Sequence, residues 1–293
     1  MWSDEKGAIV VLANFSMVVM LIISALVIDV GIVEVKKAHI AGVADAAVLA
    51  AVSEQAMGNE NLEEVALMYC EKNDINVEKV DITIGNGVIV AINDSVDSIF
   101  SKIIGIEKIN TSVKSRAIFG AVSEVYSGTR PIAVERQEFV FGQEVTLKSD
   151  SDSYSGNYGA VELGGSGANN YRYNIIYGYT GTLKVGDNID TEPGNMEGPT
   201  EQGIDYITRN DDSTIDNYTK NSPRLWVIPV VDTLSVNGRK TVTIVGFAQF
   251  FVEDTGSKGE IIGRFIRNVA NGKISENQID YGLVAVKLVG GDF

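Results

Sequence analysis

One cysteine, Cys70, and one histidine, His39, occur in 293 residues. A lone thiol excludes an intrachain disulfide framework, and its apolar neighbours Val65, Leu67 and Met68 make Cys70 a predicted core residue. A lone imidazole excludes histidine-rich metal sites. It also argues against a Ser-His nucleophile. His39 falls in a predicted helix remote in sequence from Ser166, and Gly164-Gly165-Ser166-Gly167-Ala168 lacks the last glycine of a Gly-x-Ser-x-Gly elbow. Basic residues are scarce as well: 24 Lys+Arg against 39 Asp+Glu give a formal net charge of −15. That is the wrong sign for wrapping nucleic acid, so DNA and RNA are not expected partners. Neither a Walker loop nor a complete Gly-x-Gly-x-x-Gly is present, and no nucleotide or other small-molecule substrate is expected.

Charge is missing altogether from Ala8–Ile28 (AIVVLANFSMVVMLIISALVI), and proline from all of Ala8–Ala56. An uncharged apolar run of this length crosses the ~30 Å hydrocarbon core of a bilayer as a helix. Ala8, Val11, Phe15, Val19, Ile22 and Leu26 recur along it at three- and four-residue steps, and Asp29 closes it; these are the candidate membrane or filament-core residues. Asn14, Ser16 and Ser24 inside the run can bond either to neighbouring helices or to their own helix carbonyls. The tail MWSDEKG carries one Lys and two acids, a poor match to the basic start of a cleavable signal, which predicts a retained anchor. Lys6 on one side is balanced by Lys36 and Lys37 on the other, so the positive-inside count does not choose an orientation.

Past Asp29 the pattern becomes amphipathic. Ile32, Val33, Ile40, Val43, Ala44, Ala47, Val48, Ala51 and Val52 fall near helical spacing, with Glu34, Lys37, Asp45 and Glu54 set against them. The mostly Ala and Val face suits close packing, either on a sheet or on a sibling helix. Gly58-Asn59 predicts the helix stop, and Asn61 with Glu64 predicts a capping box opening a second helix from Leu62 to about Lys72. Val80–Ile84 and Val88–Ile92 flank Asn86-Gly87, a strong hairpin signal. Asp94 or Ser95 is read as the cap of a short helix through Ile103, closed by Gly105, and Thr111–Phe119 as a third strand.

The expected fold is therefore α+β. A long helix, transmembrane and then amphipathic, packs on a small antiparallel sheet and is followed by a β-rich domain. The expected organisation is a tail at 1–7, the helix at 8–57 with 8–28 apolar, a small α+β domain at 58–120 and an acidic β-rich domain at 121–293. Strands are predicted there at Pro131–Val134, Glu144–Lys148, Ala160–Leu163, Leu225–Asp232, Thr241–Glu253, Glu260–Arg267 and Gly282–Val289, with turns at Asn237-Gly238 and Asn271-Gly272. The polar insertion 149–221 is too long to lack structure, and helices are predicted near Asn169–Tyr177 and Glu201–Arg209.

Asp4-Glu5-Lys6-Gly7-Ala8, the apolar span ending Leu26-Val27-Ile28-Asp29-Val30-Gly31, and Ala44-Asp45-Ala46-Ala47-Val48-Leu49-Ala50 together resemble the start of TadG-like proteins. These are Tad-domain, TadE/TadG-family proteins associated with the Flp branch of type IV pili. Ser115-Arg116-Ala117 and Ile99-Phe100 with Ile104-Gly105-Ile106 also resemble that family's first extracellular unit. So, more loosely, do Gly164–Tyr173, Tyr177–Gly181 and Glu192-Pro193-Gly194-Asn195 resemble the C-terminal part of Tad-domain proteins. Two departures stand out. After Gly7 the residues Ala8-Ile9-Val10-Val11-Leu12 lack the acid that prepilin peptidase substrates carry at their fifth position. Asp150-Ser151-Asp152-Ser153 lacks the Asp-x-Ser-x-Ser register of a von Willebrand A-type metal site.

The resemblance implies a non-enzymatic structural protein in a bacterial cell membrane with extracellular domains, or in an extracellular filament. Its expected partners are membrane lipid or copies of itself through the N-terminal helix, and other pilus-assembly proteins. Calcium is the one cofactor worth weighing, because Asp187, Asp190, Asp211 and Asp212 crowd hard oxygen ligands into loops, although none keeps the EF-hand order. A membrane-tethered surface hydrolase and a calcium-stabilised adhesin are the alternatives.

Overall fold

The computed structural model describes residues 3–147, 158–192, 196–234, 240–275 and 278–290. Asn237-Gly238, Asp150–Ser153 and Pro193–Asn195 lie outside the described residues. The chain forms two compact units, 1–55 with 60–118 and 287–293, and 56–59 with 119–286. The architecture is α+β, with a long N-terminal helix and a β-rich remainder.

In the first unit, helix α1 (Ser3–Met57) runs 55 residues without a break, about 80 Å at ~1.5 Å per residue. No proline interrupts its ladder, and it stops where Gly58 turns left-handed at φ +86°. Its amphipathic half buries Ile40, Val43, Ala44, Ala47, Val48, Ala51 and Val52, each at 5% exposure or less. Helix α2 (Leu62–Glu71) buries Leu62, Ala66 and Cys70, so the cysteine is the core thiol its neighbours predict. The Asn61 side chain makes no capping bond. The start of α2 is instead fixed by the Leu62–Ala66–Cys70 face.

Strands β1 (Val80–Gly85) and β2 (Gly87–Asp97) form the predicted hairpin, with Ile84 opposite Val88. Gly87 is required twice over: its φ is +97°, and a Cβ there would lie 2.3 Å from the Ala117 carbonyl oxygen. β2 pairs antiparallel with β3 (Lys108–Val125) from Val88–Ala117 to Asp97–Lys108. Val88, Val90 and Ile92 alternate into the interior, all fully buried. Polar side chains flanking the Ala/Val face tie α1 to this sheet. Ser115 Oγ donates to Asp45 at 2.5 Å, and Gln55 Nε2 donates to the Gly85 carbonyl at 3.0 Å.

The predicted helix from Asp94 to Ile103 is not formed. β2 continues through Asp97, and only Ser101–Ile104 coils, as a single 3-10 turn closed by left-handed Gly105. Asp94 caps nothing because its carboxylate sits between two lysines, 2.8 Å from Lys36 and 2.6 Å from Lys79. Burial pushes this carboxyl's pKa up, but the two ammoniums outweigh it and hold it well below the usual range.

In the second unit the chain adds β4 (Ile132–Glu135), β5 (Glu144–Leu147), β6 (Tyr158–Ala160), α3 (Ala168–Tyr177), β7 (Leu183–Lys184), β8 (Asn188–Asp190), α4 (Glu197–Asn210), β9 (Leu225–Val231), β10 (Thr241–Thr255), β11 (Ile261–Ile266), β12 (Asn268–Val269), β13 (Lys273–Ser275) and β14 (Leu283–Leu288). The main sheet has the order β5-β11-β10-β9-β4-β6, with β8 on β10. Six of the seven predicted strands are present within two residues; of Ala160–Leu163 only Ala160 is strand, at the end of β6, and Val161 makes an isolated bridge to Thr191. The two helices fall where the polar insertion requires them, and Gly203 lets them approach closely, since a Cβ there would lie 2.5 Å from Ile175. Trp226, Phe250, Phe265, Tyr171, Ile175, Ile204 and Ile207 share one core. Val122, Leu163, Ile189, Ile244 and Phe247 belong to a second.

Candidate functional site

Ala8, Val11, Phe15, Val19, Ile22 and Leu26 all lie on the apolar half of α1, and all are exposed. Not one residue of its most apolar 18-residue window is buried, and the helix is long and apolar enough to cross a membrane. Ser16 donates to the Leu12 carbonyl and Ser24 to the Met20 carbonyl, each at 2.9 Å. Both hydroxyls are thereby satisfied within their own helix, as a lipid-facing hydroxyl must be.

Asp29 is different from the six residues before it. It is 2% exposed, and its carboxylate collects four donors from a segment seventy residues further on. The Ile99 N–H donates to Oδ1 at 2.9 Å and the Ser101 N–H to Oδ2 at 2.7 Å. The Phe100 N–H is shared at 3.2 Å from both oxygens, and the Ser101 hydroxyl reaches Oδ2 at 2.6 Å. A buried carboxylate costs free energy unless its lone pairs are filled, and successive N–H groups of a tight turn fill them. The Ser101 hydroxyl lowers the Asp29 pKa most; burial opposes it, and the three backbone donors bring the result from the ordinary 3.8 to about 2.

A carboxyl lowered on folding stabilises the fold above its ordinary pKa and loses that contribution as pH falls through the lowered one. The amide proton shifts of Ile99, Phe100 and Ser101 should therefore titrate together in the acid range below 3.8, towards about 2, and be flat above it. Asp29→Asn should abolish the step, and Asp29→Ala should speed amide exchange at all three positions. Titration at or above the ordinary carboxyl value would sink this assignment of charge.

Three of the four acids considered for calcium accept hydrogen bonds from nearby groups of the chain. Asp187 Oδ2 accepts from the Lys184 N–H at 2.8 Å in the turn between β7 and β8, and Asp190 Oδ1 accepts from the Thr241 hydroxyl at 2.6 Å. Asp211 accepts from the Ser213 N–H at 2.8 Å and the Ser222 hydroxyl at 2.5 Å, while Asp212 is exposed. Among the described residues no three His, Cys, Asp or Glu side chains group as metal ligands. The tyrosines divide. Tyr171 is core and hydrogen-bonds Thr200 at 3.1 Å, whereas Tyr173 and Tyr177 are surface rings 4.8 Å apart. Glu162 and Asp190 line a shallow groove of about 350 Å³ together with Gly164, Gly165 and Tyr179.

Residues 7–54 match the Tad family model, described as "Putative Flp pilus-assembly TadE/G-like". The resemblance read from the first fifty residues is thus met by a family model along α1, which carries both the apolar span and the buried Ala/Val stripe. No curated protein and no solved structure matches the chain. The matched residues all lie on α1, the helix that is long and apolar enough to cross a membrane. Sequence reading placed Asp29 at the end of the span but missed its partners, because three of the four donors are backbone N–H groups without any side-chain signature.

Proposed function

We propose that this chain is a membrane-anchored cell-surface structural protein of a Tad/Flp-like pilus system. Its outer units make the protein contacts of pilus assembly while residues 8–28 hold it in the bilayer. The observation that carries this reading is the contrast within α1: one half fully exposed and apolar, the other half buried on its own sheet. About twenty exposed apolar side chains, at roughly 25 cal/mol per Å², cost tens of kcal/mol in water, so the span needs lipid or sibling helices. The Tad match over the same helix supports the pilus setting. Two versions follow from this requirement. In one the chain stays in the membrane beside the assembly machinery; in the other it is extracted and its apolar helices re-bury one another in a filament core.

Electron microscopy of material sheared from cells, with an antibody to residues 119–286, separates the two versions. Labelled regular fibres select the filament, and strict retention of the antigen in the membrane fraction selects the resident anchor. Recovery of the intact chain as a soluble monomer would overturn both.

A further inference from the structure

The segment bound by Asp29 is itself apolar and unusually exposed. Ile103 is 84% and Ile104 76% exposed, with Ile99, Phe100 and Ile106 beside them on the same surface turn. Four hydrogen bonds fix this loop to the first residue after the apolar span. Among the described residues 7–28, coverage of α1 begins only at Ala25, one turn ahead of Asp29. The loop thus sits at the level of the last turn of the span, where hydrocarbon gives way to headgroups. Ile103 and Ile104 lie two and three residues past Ser101, so each is within about 10 Å of that level.

We propose that the loop Ser98–Ile106 is a second membrane contact, an apolar foot that inserts Ile103, Ile104 and Phe100 into the interfacial layer of the same leaflet from which α1 emerges. The proposal rests on the membrane-anchored reading above. The occupant is lipid, because the exposed apolar loop is bonded to Asp29, the residue that directly follows the exposed apolar span. Lys102, exposed within the turn, is placed to reach phosphate headgroups as an interfacial lysine does. Asp29 is the positioning residue. It makes the foot a fixed attachment to the span, so that α1 and the small sheet unit meet the bilayer at one defined height.

The test places an environment-sensitive nitrobenzoxadiazole label on Ile103→Cys and, separately, Ile104→Cys in the full chain. The chains are reconstituted in phosphatidylcholine/phosphatidylglycerol vesicles. Native Cys70 is buried, and the unsubstituted chain gives the labelling blank. Ile22→Cys reports on insertion of the span. Ile84→Cys reports on water, since the adjoining Gly85 is bonded to Gln55, about 40 Å along α1 from Asp29 at ~1.5 Å per residue. The expected result is loss of iodide quenching at positions 103 and 104, with quenching by lipids spin-labelled near the headgroup, while position 84 stays open to iodide. If position 22 is quenched by deep spin labels but 103 and 104 behave like 84, the foot is overturned and the anchor stands. Shielding from iodide without lipid quenching also overturns it, in favour of a protein partner. If position 22 escapes lipid quenching, the membrane reading itself fails.

Discussion

Replacing Val19 and Ile22 together by arginine should remove the chain from the carbonate-resistant membrane fraction. Residues 8–28 contain thirteen Leu, Ile, Phe and Val side chains. At roughly −0.3 to −0.6 kcal/mol each near the helix centre, they supply about 4–8 kcal/mol of insertion free energy. Each arginine at the bilayer centre costs about 2.5–3.5 kcal/mol on the same scale, so two consume most or all of it. Val19 and Ile22 are exposed and lie near the middle of the run, where none of the described residues buries them. The control is Val35→Arg, at a residue 74% exposed but past Asp29 on the same helix. It should leave membrane retention unchanged. Full retention of the double variant would show that something other than residues 8–28 holds the chain.

The parts of this fold that were legible share one property: their signal is local. The buried stripe Ile40–Val52 was readable because helical spacing and small side chains coincide within thirteen residues. The hairpin was readable because Asn86-Gly87 separates two alternating runs. Helices in the polar insertion followed from length alone, since a structureless loop of that size does not fit a compact domain. What failed required knowledge of distant chain. Asp94 looks like a helix cap in sequence, yet Lys36 and Lys79 claim its carboxylate. Gly120 in a small, polar stretch reads as the end of a strand, but β3 runs on past it. A partner strand some 150 residues later supplies the pairing, Ile274 opposite Val122 and Ser275 opposite Ala121. Strands of two or three residues such as β7, β8, β12 and β13 are too short to show any period. At the candidate site, the exposed residues of the span were legible from hydropathy. The loop that answers Asp29 was not, because three of its four donors are backbone.

Trp226→Ala should be the most destabilising single substitution in the second unit, and it should leave membrane retention untouched. The indole is fully buried, packed with Ile132, Ile175, Ile204 and Phe250. Its Nε1–H donates to the Pro223 carbonyl at 3.0 Å, and the Arg130 guanidinium lies over the ring at 5.8 Å. Truncation therefore removes a large apolar body, leaves a cavity between strand and helices, and strips the aromatic face from a cation whose own pKa burial has already lowered to about 10. A buried Trp→Ala change costs roughly 3–5 kcal/mol, which for a unit of this size lowers the melting temperature by about 10 °C. Trp226→Phe, which keeps an aromatic ring but loses the N–H and part of the bicycle's volume, should cost about 1–3 kcal/mol, less than the alanine variant. Near-equal melting of the alanine variant and the wild type would show that the indole is not the keystone of this core. The pairing with the arginine variants is what gives the experiment functional content. If anchoring belongs to the first unit and the second unit only displays, Trp226→Ala must lower the melting temperature of the display without releasing the chain, and Val19→Arg/Ile22→Arg must release the chain without destabilising the display.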